Sequence, residues 1–164
     1  MQVRRYPALL AAGTVVLAAL GLSYQREAQA QQIVLSAARG MDFGRFVAGT
    51  GGTVILSPTG VRSRTGGVVL LNSPSVGQAV FNVGKSSNGG NNKAVIISVP
   101  PNGSVRLNSG ANSMALNSFV NNPATIVSVP NGGTTLAVGA SLSVAPNQPP
   151  GNYTGSFPMT VNFQ

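Results

Sequence analysis

Reactive side chains are scarce in this sequence, and the few that remain limit the chemistry open to it. It contains no cysteine and no histidine, and its two carboxylates are Glu27 and Asp42. The absence of histidine and cysteine excludes imidazole and thiol catalysis. If the first thirty residues are removed, as argued below, Asp42 is the single side-chain carboxylate left, which excludes paired-carboxylate hydrolysis and a metal cluster of the usual ligands. A serine–lysine pair is the remaining nucleophilic arrangement, with Lys85 or Lys93 as its base. Both lysines lie in a stretch rich in Gly, Asn and Ser, which predicts a solvated loop. We therefore expect a chain that is not an enzyme and that holds no cofactor and no metal.

The first thirty residues are organised like a secretory signal peptide. Arg4 and Arg5 precede an apolar run over residues 8–22, and a polar stretch then ends in Ala28-Gln29-Ala30. This order predicts cleavage after residue 30. The apolar run is shorter than the ~20 residues that span a bilayer, so a membrane anchor is the weaker alternative. We expect an exported chain that does not span a membrane once the signal peptide is removed.

Basic side chains dominate the charge of the remaining chain, where Asp42 is the single acidic side chain. Nucleic-acid-binding proteins cluster such charges and place aromatic side chains among them. Here the basic residues are scattered, and only Arg62 and Arg64 are close enough to share one face of a strand. We expect no nucleic-acid partner. Contact with an anionic cell-surface polymer is the alternative to a purely solubilising role for these charges.

Short segments rich in Val, Ile, Leu, Phe and Thr recur about every ten residues, each bounded by Gly, Pro, Asn or Ser. This rhythm predicts an all-β fold, specifically an immunoglobulin-like Greek-key β-sandwich. We expect residues 31–41 to form an N-terminal strand and residues 42–164 to form the sandwich domain. The predicted strands cover residues 33–38, 43–47, 53–56, 68–71, 79–83, 94–99, 125–129, 134–138, 141–144 and 153–163.

The C-terminal segment alternates between apolar and polar residues. Phe157, Met159, Val161 and Phe163 fall on one face of an extended strand, which predicts that this face is buried. Pro158 has no backbone N–H to donate, so a second partner strand on its side is disfavoured. The segment is therefore predicted to be an edge strand.

The segment that follows the predicted cleavage site would also form a strand, with Ile33, Leu35 and Ala37 on one face. Arg39, at the next position of the same spacing, interrupts this apolar face. Two interpretations are open. The segment is either the first strand of its own domain, or a donor strand that adds to the sheet of a neighbouring subunit. Head-to-tail contacts of the second kind that do not close produce filaments.

Seven short motifs follow one another along the chain: Asp42-Phe43-Gly44, Gly51-Gly52-Thr53-Val54, Ser57-Pro58-Thr59-Gly60, Gly66-Gly67-Val68, Ala79-Val80-Phe81-Asn82-Val83, Val138-Gly139-Ala140-Ser141-Leu142-Ser143-Val144 and Pro150-Gly151-Asn152-Tyr153-Thr154-Gly155-Ser156-Phe157. In this order they resemble an exported bacterial family catalogued as a domain of unknown function (number 4402). That family is similar to spore coat protein U and to the fimbrial subunits of chaperone/usher systems. The resemblance runs from residue 42 to residue 163. It implies an immunoglobulin-like sandwich, secretion by a bacterium with an outer membrane, and assembly into a surface fibre.

The leading hypothesis is a non-enzymatic structural subunit of a pilus-like or fimbria-like bacterial surface filament, joined to its neighbours by strand donation. It would occupy the periplasm first and the cell surface afterwards. Its partners would be copies of itself, with a periplasmic chaperone and an outer-membrane usher as further candidates. The donated side chains would be Ile33, Leu35 and Ala37, and the accepting groove would be lined by Phe157, Met159, Val161 and Phe163.

The alternative hypothesis is a monomeric secreted or periplasmic binding module with a complete sandwich of its own. Cell-surface polysaccharide is the ligand considered for it. The phenylalanines of this part of the chain fall mostly within predicted strands, which leaves few exposed aromatic rings to stack on a sugar.

Overall fold

The computed structural model describes residues 32–86 and 93–164, and the predicted signal peptide lies outside this part of the chain. The described residues form eleven strands and no helix, and all of the strand pairs are antiparallel. The predicted all-β class is therefore confirmed. The strands are β1 (Ile33–Arg39), β2 (Phe46–Val47), β3 (Gly52–Leu56), β4 (Arg62–Gly66), β5 (Val69–Leu70), β6 (Ala79–Lys85), β7 (Val95–Ser98), β8 (Val105–Ser109), β9 (Asn112–Asn122), β10 (Thr134–Val144) and β11 (Thr160–Phe163).

Seven of these strands form one curled sheet around β10. The order is β1-β6-β10-β3-β4, and β9 and β8 extend the sheet from β10 as well. Residues 134–138 of β10 pair with β6, and residues 140–144 pair with β3. Residues 137–142 also pair with β9, which lies along the opposite edge of β10. One long strand thus holds β6 and β3 end to end on one side and β9 on the other.

Gly139 lies where β10 passes from β6 to β3. A Cβ at this position would overlap the carbonyl oxygen of Leu56 and the backbone of Ser57. Only glycine allows the chain that leaves β3 to approach β10 so closely. The sequence predicted two strands, 134–138 and 141–144, that stop on either side of this glycine. The structure corrects this to one continuous strand.

Two smaller sheets complete the fold. β11 pairs with β7, and β2 pairs with β5. The last residues of the chain extend the first of these sheets, because the N–H of Gln164 donates to the carbonyl oxygen of Ala94 at 2.8 Å. Within the described residues β11 has one hydrogen-bonded partner strand, so it is an edge strand, as the proline predicted.

The buried side chains form two clusters. The β3 cluster is centred on β3 and the second half of β10, and the β6 cluster is centred on β6 and the first half of β10. Phe119 and Phe157 pack against both clusters, with their ring centroids 5.3 Å apart. The β3 cluster contains Phe43, Ala48, Val54, Leu56, Val68, Val105, Met114, Leu116, Ala140, Leu142 and Val144. The β6 cluster contains Ala79, Val83, Val95, Ile126, Val129, Leu136 and Val138.

Several predicted strand boundaries were wrong. Residues 125–129 form no strand, and only Ile126 makes a single bridge, to Val95. The predicted strand over 153–163 is reduced to β11, and the one over 43–47 is reduced to β2. Phe43, Ile126 and Val129 of these segments are buried as expected, whereas Val47 and Val127 are exposed.

The prediction also omitted β4, β8 and β9. β4 has the sequence Arg-Ser-Arg-Thr-Gly, with no apolar residue to indicate a strand. β9 does carry a usable signal, because buried Met114 and Leu116 have the spacing of one strand face and lie between polar Ser113 and Asn117. That pattern is broken at Ser118, which has a φ of 49°. The ladder with β10 shifts register at the same place.

Candidate functional site

The N-terminal strand β1 lies on the edge of β6. Six register pairs join the two strands, from Ile33 opposite Lys85 to Arg39 opposite Val80. The ladder continues beyond β1, because the N–H of Ser86 donates to the carbonyl oxygen of Gln32 at 2.9 Å. On its other edge β1 has no partner strand among residues 32–86 and 93–164. The backbone of β1 is therefore held from one side.

The side chains of β1 divide between the core and solvent. Ile33 and Leu35 are half-buried and pack against the β6 cluster. Val34, on the opposite face, is 50% exposed. Ala37 is the register partner of Phe81 but remains exposed. Of the three predicted donor residues, two thus reach the core.

The predicted groove residues lie together on the other side of the same cluster. Phe157, Met159, Val161 and Phe163 are all half-buried and pack against the β6 cluster, whereas Pro158, Thr160 and Asn162 between them are exposed. Phe157 also meets Phe81 edge to face, with ring centroids 6.0 Å apart and an interplanar angle of 81°. Such a geometry adds to the stability that the buried area provides.

The structure therefore brings the predicted donor and groove residues together within a single chain. A cleft of about 300 Å³ separates β1 from β11, and it is lined by Gln32, Ile33, Val161, Asn162 and Phe163. β1 forms one wall of this cleft and β11 the other. The resulting site is an open cleft with mixed lining, in which the apolar side chains of Ile33, Val161 and Phe163 lie beside the amides of Gln32 and Asn162.

Residues 33–163 match the family described as a domain of unknown function (DUF4402). The chain belongs to this family. The matched region begins at the first residue of β1 and ends at the last residue of β11. Both walls of the cleft are therefore parts of the DUF4402 domain. No curated protein and no solved structure matches the chain.

Strand β4 forms another edge of the curled sheet in this DUF4402 domain. It is polar and carries two arginines, whereas β1 is mostly apolar. Arg62 and Arg64 lie opposite Leu56 and Val54, two buried residues. Residues directly opposite in an antiparallel pair share a face, so both arginines lie on the core side of the sheet. The prediction that Arg62 and Arg64 share one face of a strand is therefore confirmed. Arg62 is half-buried and Arg64 is exposed, and charged side chains on an edge strand disfavour the addition of a further strand.

Arg62 is half-buried, and within the described residues its guanidinium is bound by backbone carbonyl oxygens. Its Nη1 donates to the carbonyl oxygens of Phe43 at 2.9 Å and Arg45 at 3.3 Å, and its Nη2 donates to that of Leu71 at 2.6 Å. These bonds tie β4 to the segments that lead into β2 and out of β5. Asp42, in turn, accepts a 2.6 Å hydrogen bond at Oδ1 from the N–H of Gly44. Arg62 and Asp42 thus both hold neighbouring backbone segments in place through hydrogen bonds.

Of the two lysines considered as bases, Lys85 is the last residue of β6 and is half-buried, so the prediction of a solvated loop was wrong for this residue. Lys85 borders a shallow depression of about 290 Å³ on the outer face of β1, β6 and β10, with Ser36 and Thr135 among its neighbours. Lys93 is exposed. In the described ranges no group of three or more His, Cys, Asp or Glu side chains could hold a metal, and no helix there is long and apolar enough to cross a bilayer.

Proposed function

We propose that this DUF4402 chain is a non-enzymatic structural subunit of a bacterial surface filament, assembled by donor-strand complementation. The observation that carries the proposal is the packing of Ile33 and Leu35 against the β6 cluster, beside the four half-buried side chains of the C-terminal segment. An N-terminal strand thus completes the core from a sheet edge. The proposed fold behind this contact is an immunoglobulin-like Greek-key sandwich.

The contact has the properties needed for exchange between copies. Full burial of a Leu or Ile side chain stabilises by about 1.5–3 kcal/mol, so the half-buried Ile33 and Leu35 contribute roughly 1 kcal/mol each. The β3 cluster is built from other strands and does not depend on β1. The larger core therefore survives the departure of β1, and the vacated edge accepts the identical strand of a neighbour.

The connection between β1 and the rest of the domain permits such a departure. Gly40 follows β1 directly, is exposed, and would meet nothing within 4 Å even if it carried a Cβ. A pivot here redirects the strand without disturbing packed side chains. When each copy donates to the next, the contact does not close, and the product is a filament.

The finer family relationship extends the proposal to location and partners. The resemblance to spore coat protein U and to chaperone/usher fimbrial subunits supports export to the periplasm and then to the surface of a Gram-negative bacterium. A chain with a vacant, apolar edge needs protection before assembly. A periplasmic chaperone that fills the edge and an outer-membrane usher that replaces it with β1 of the next subunit are the proposed partners.

A closed monomeric module is the second candidate function, and one observation favours it: β1 pairs with β6 of the same chain. Such a module would use an outer surface to bind a ligand such as cell-surface polysaccharide. The depression beside Lys85, lined by hydroxyl and amide side chains of Ser36, Asn82, Asn131 and Thr135, is the candidate surface.

Negative-stain electron microscopy of the secreted chain at increasing concentration tests the proposal. Leu35→Asp places a charge in the β6 cluster, whereas Val34→Asp places the same charge on the solvent face of the same strand. We expect wild type and Val34→Asp to form filaments and Leu35→Asp to form none. A wild-type chain that remains monomeric, or a Leu35→Asp variant that assembles normally, would contradict the proposal.

A further inference from the structure

The last residue of β1 leaves the apolar face of the strand through a β-bulge. Ala37 lies opposite Phe81, but the next pair joins Arg39 to Val80, so Ala38 is an extra residue in β1. A bulge of this kind redirects the side chain that follows it. Arg39 therefore does not continue the face of Leu35 and Ala37. Its side chain extends toward the loop between β5 and β6.

That loop presents a site shaped for a guanidinium group. Nη2 of Arg39 donates to the carbonyl oxygen of Ser75 at 2.9 Å and to that of Val76 at 3.0 Å. The guanidinium also occupies the space where a Cβ of residue 77 would stand, and Gly77 leaves that space open. We call this site, formed by the two carbonyl oxygens and the Cα of Gly77, the arginine socket.

The socket is built independently of Arg39. Gly77 is buried and pairs with Asp42 through two backbone hydrogen bonds, of 2.8 Å and 3.0 Å. Those bonds lie on the domain side of the Gly40 pivot. The socket therefore stays with the domain, whereas Arg39 belongs to the strand that moves.

Resting on the proposed function, we infer that the arginine socket binds Arg39 from the N-terminal strand of a second copy of this chain and fixes the register of that strand. The apolar contacts alone do not determine the register between the donated strand and β6. Because side chains on a strand repeat every two residues, a slip of two residues keeps Ile33 and Leu35 on the core face. Such a slip displaces Arg39 by about 7 Å, twice the rise per residue, and breaks both hydrogen bonds.

Arginine suits this role better than lysine. Two N–H bonds on one nitrogen of a planar group reach two neighbouring carbonyl oxygens in a fixed geometry, whereas an ammonium group is a mobile and more strongly hydrated charge. Gly77 also favours a flat group at this position. The guanidinium lies against its Cα, and a Cβ at residue 77 would displace the guanidinium.

Co-refolding from urea with a labelled peptide tests the inference on the full secreted chain. The peptide has the sequence of residues 32–40 and carries a fluorophore, and its incorporation is followed by fluorescence anisotropy. We expect the Arg39→Ala peptide to bind about tenfold more weakly than the natural one, which corresponds to about 1.4 kcal/mol. The Arg39→Lys peptide should fall between the two. A Leu35→Asp peptide should fail because it lacks the apolar contact.

The receptor side is tested with Gly77→Ala in the full chain. The three nearest neighbours of the added Cβ all belong to the flexible end of Arg39, so we expect the fold to tolerate it. It should weaken the natural peptide about tenfold and leave the Arg39→Ala peptide unaffected. Gly132→Ala, whose Cβ meets nothing within 4 Å, is the matched control and should change neither.

The possible outcomes distinguish the arginine socket from strand donation itself. Equal binding of the natural and Arg39→Ala peptides, with loss for Leu35→Asp, would overturn the socket and leave strand donation standing. Failure of every peptide to bind would overturn both. The peptide comparison on the wild-type chain decides the matter even if Gly77→Ala does not fold.

Discussion

Leu35 lies directly opposite Val83 in the ladder between β1 and β6, and Val83 is fully buried. The side chain of Leu35 thus covers the centre of β6 from an edge strand that is hydrogen-bonded on one side. This pair links the N-terminal strand to the core of the domain. The contribution of β1 to stability is therefore limited to the β6 cluster, against which Ile33 and Leu35 pack.

Leu35→Ala should lower the free energy of unfolding by about 1–2 kcal/mol, less than the 2–5 kcal/mol typical of fully buried leucines, because Leu35 is half-buried. Urea unfolding followed by circular dichroism measures the change. Val34→Ala on the exposed face should change it by no more than about 0.5 kcal/mol. Equal effects of the two substitutions would show that β1 does not cover the β6 cluster.

Tyr153→Phe should destabilise the domain by about 1 kcal/mol without affecting assembly. The Tyr153 hydroxyl donates to the carbonyl oxygen of Pro149 and accepts from Nε2 of Gln148, both at 2.8 Å. Phenylalanine removes both hydrogen bonds, and because the site is partly exposed each contributes about 0.5 kcal/mol, the low end of the usual range. Thermal unfolding and electron microscopy on the same sample measure the two effects. Loss of filaments would show that this loop takes part in the subunit contact.

Gly139→Ala should cost about 2–3 kcal/mol, the upper range for an overpacked core position, because its Cβ would overlap backbone rather than a movable side chain. Gly84→Ala on β6 is the control, since its Cβ would have a single neighbour, at 4.0 Å. Urea unfolding compares the two variants. A Gly139→Ala chain as stable as Gly84→Ala would contradict the close approach of β10 and the chain after β3.

Arg64→Val should make the chain aggregate side by side. The substitution replaces an exposed charge on edge strand β4 with a β-branched apolar side chain, which lowers the barrier to strand addition at that edge. Static light scattering of freshly purified protein measures this. Arg45→Val removes the same charge outside the edge strand and should have no such effect. If both variants scatter alike, net charge rather than edge protection keeps the chain soluble.

The sequence predicted the parts of the fold that depend on side-chain alternation. The half-buried residues from Phe157 to Phe163, and the strand that contains Ile33 and Leu35, follow directly from period-two patterns. The bulge at Ala38 could not be predicted, because the sequence spacing places Arg39 on the inward face of β1. The hydrogen bonds that hold Arg39 on the other face come from the loop at Gly77, which is distant in sequence. β4 was missed because a short polar edge strand is specified by its partner and its turn rather than by its own residues.

A cross-linking experiment between copies tests strand donation most directly, because the natural chain has no cysteine. Ser36 and Asn82 are register partners on the exposed faces of β1 and β6, and opposite positions of this kind are within disulfide reach. One chain carries Ser36→Cys and the other Asn82→Cys, and the two are co-refolded and oxidised. Ser36→Cys mixed with Ser63→Cys, which places the second thiol on distant β4, is the control.

We predict that the Ser36→Cys and Asn82→Cys chains form a disulfide-linked dimer on non-reducing gels, well above the control mixture. The chain that carries both substitutions should divide between an internal disulfide and a ladder of linked oligomers. A mixed sample with no more dimer than the control, together with a purely internal disulfide in the double variant, would show that each chain keeps its own N-terminal strand.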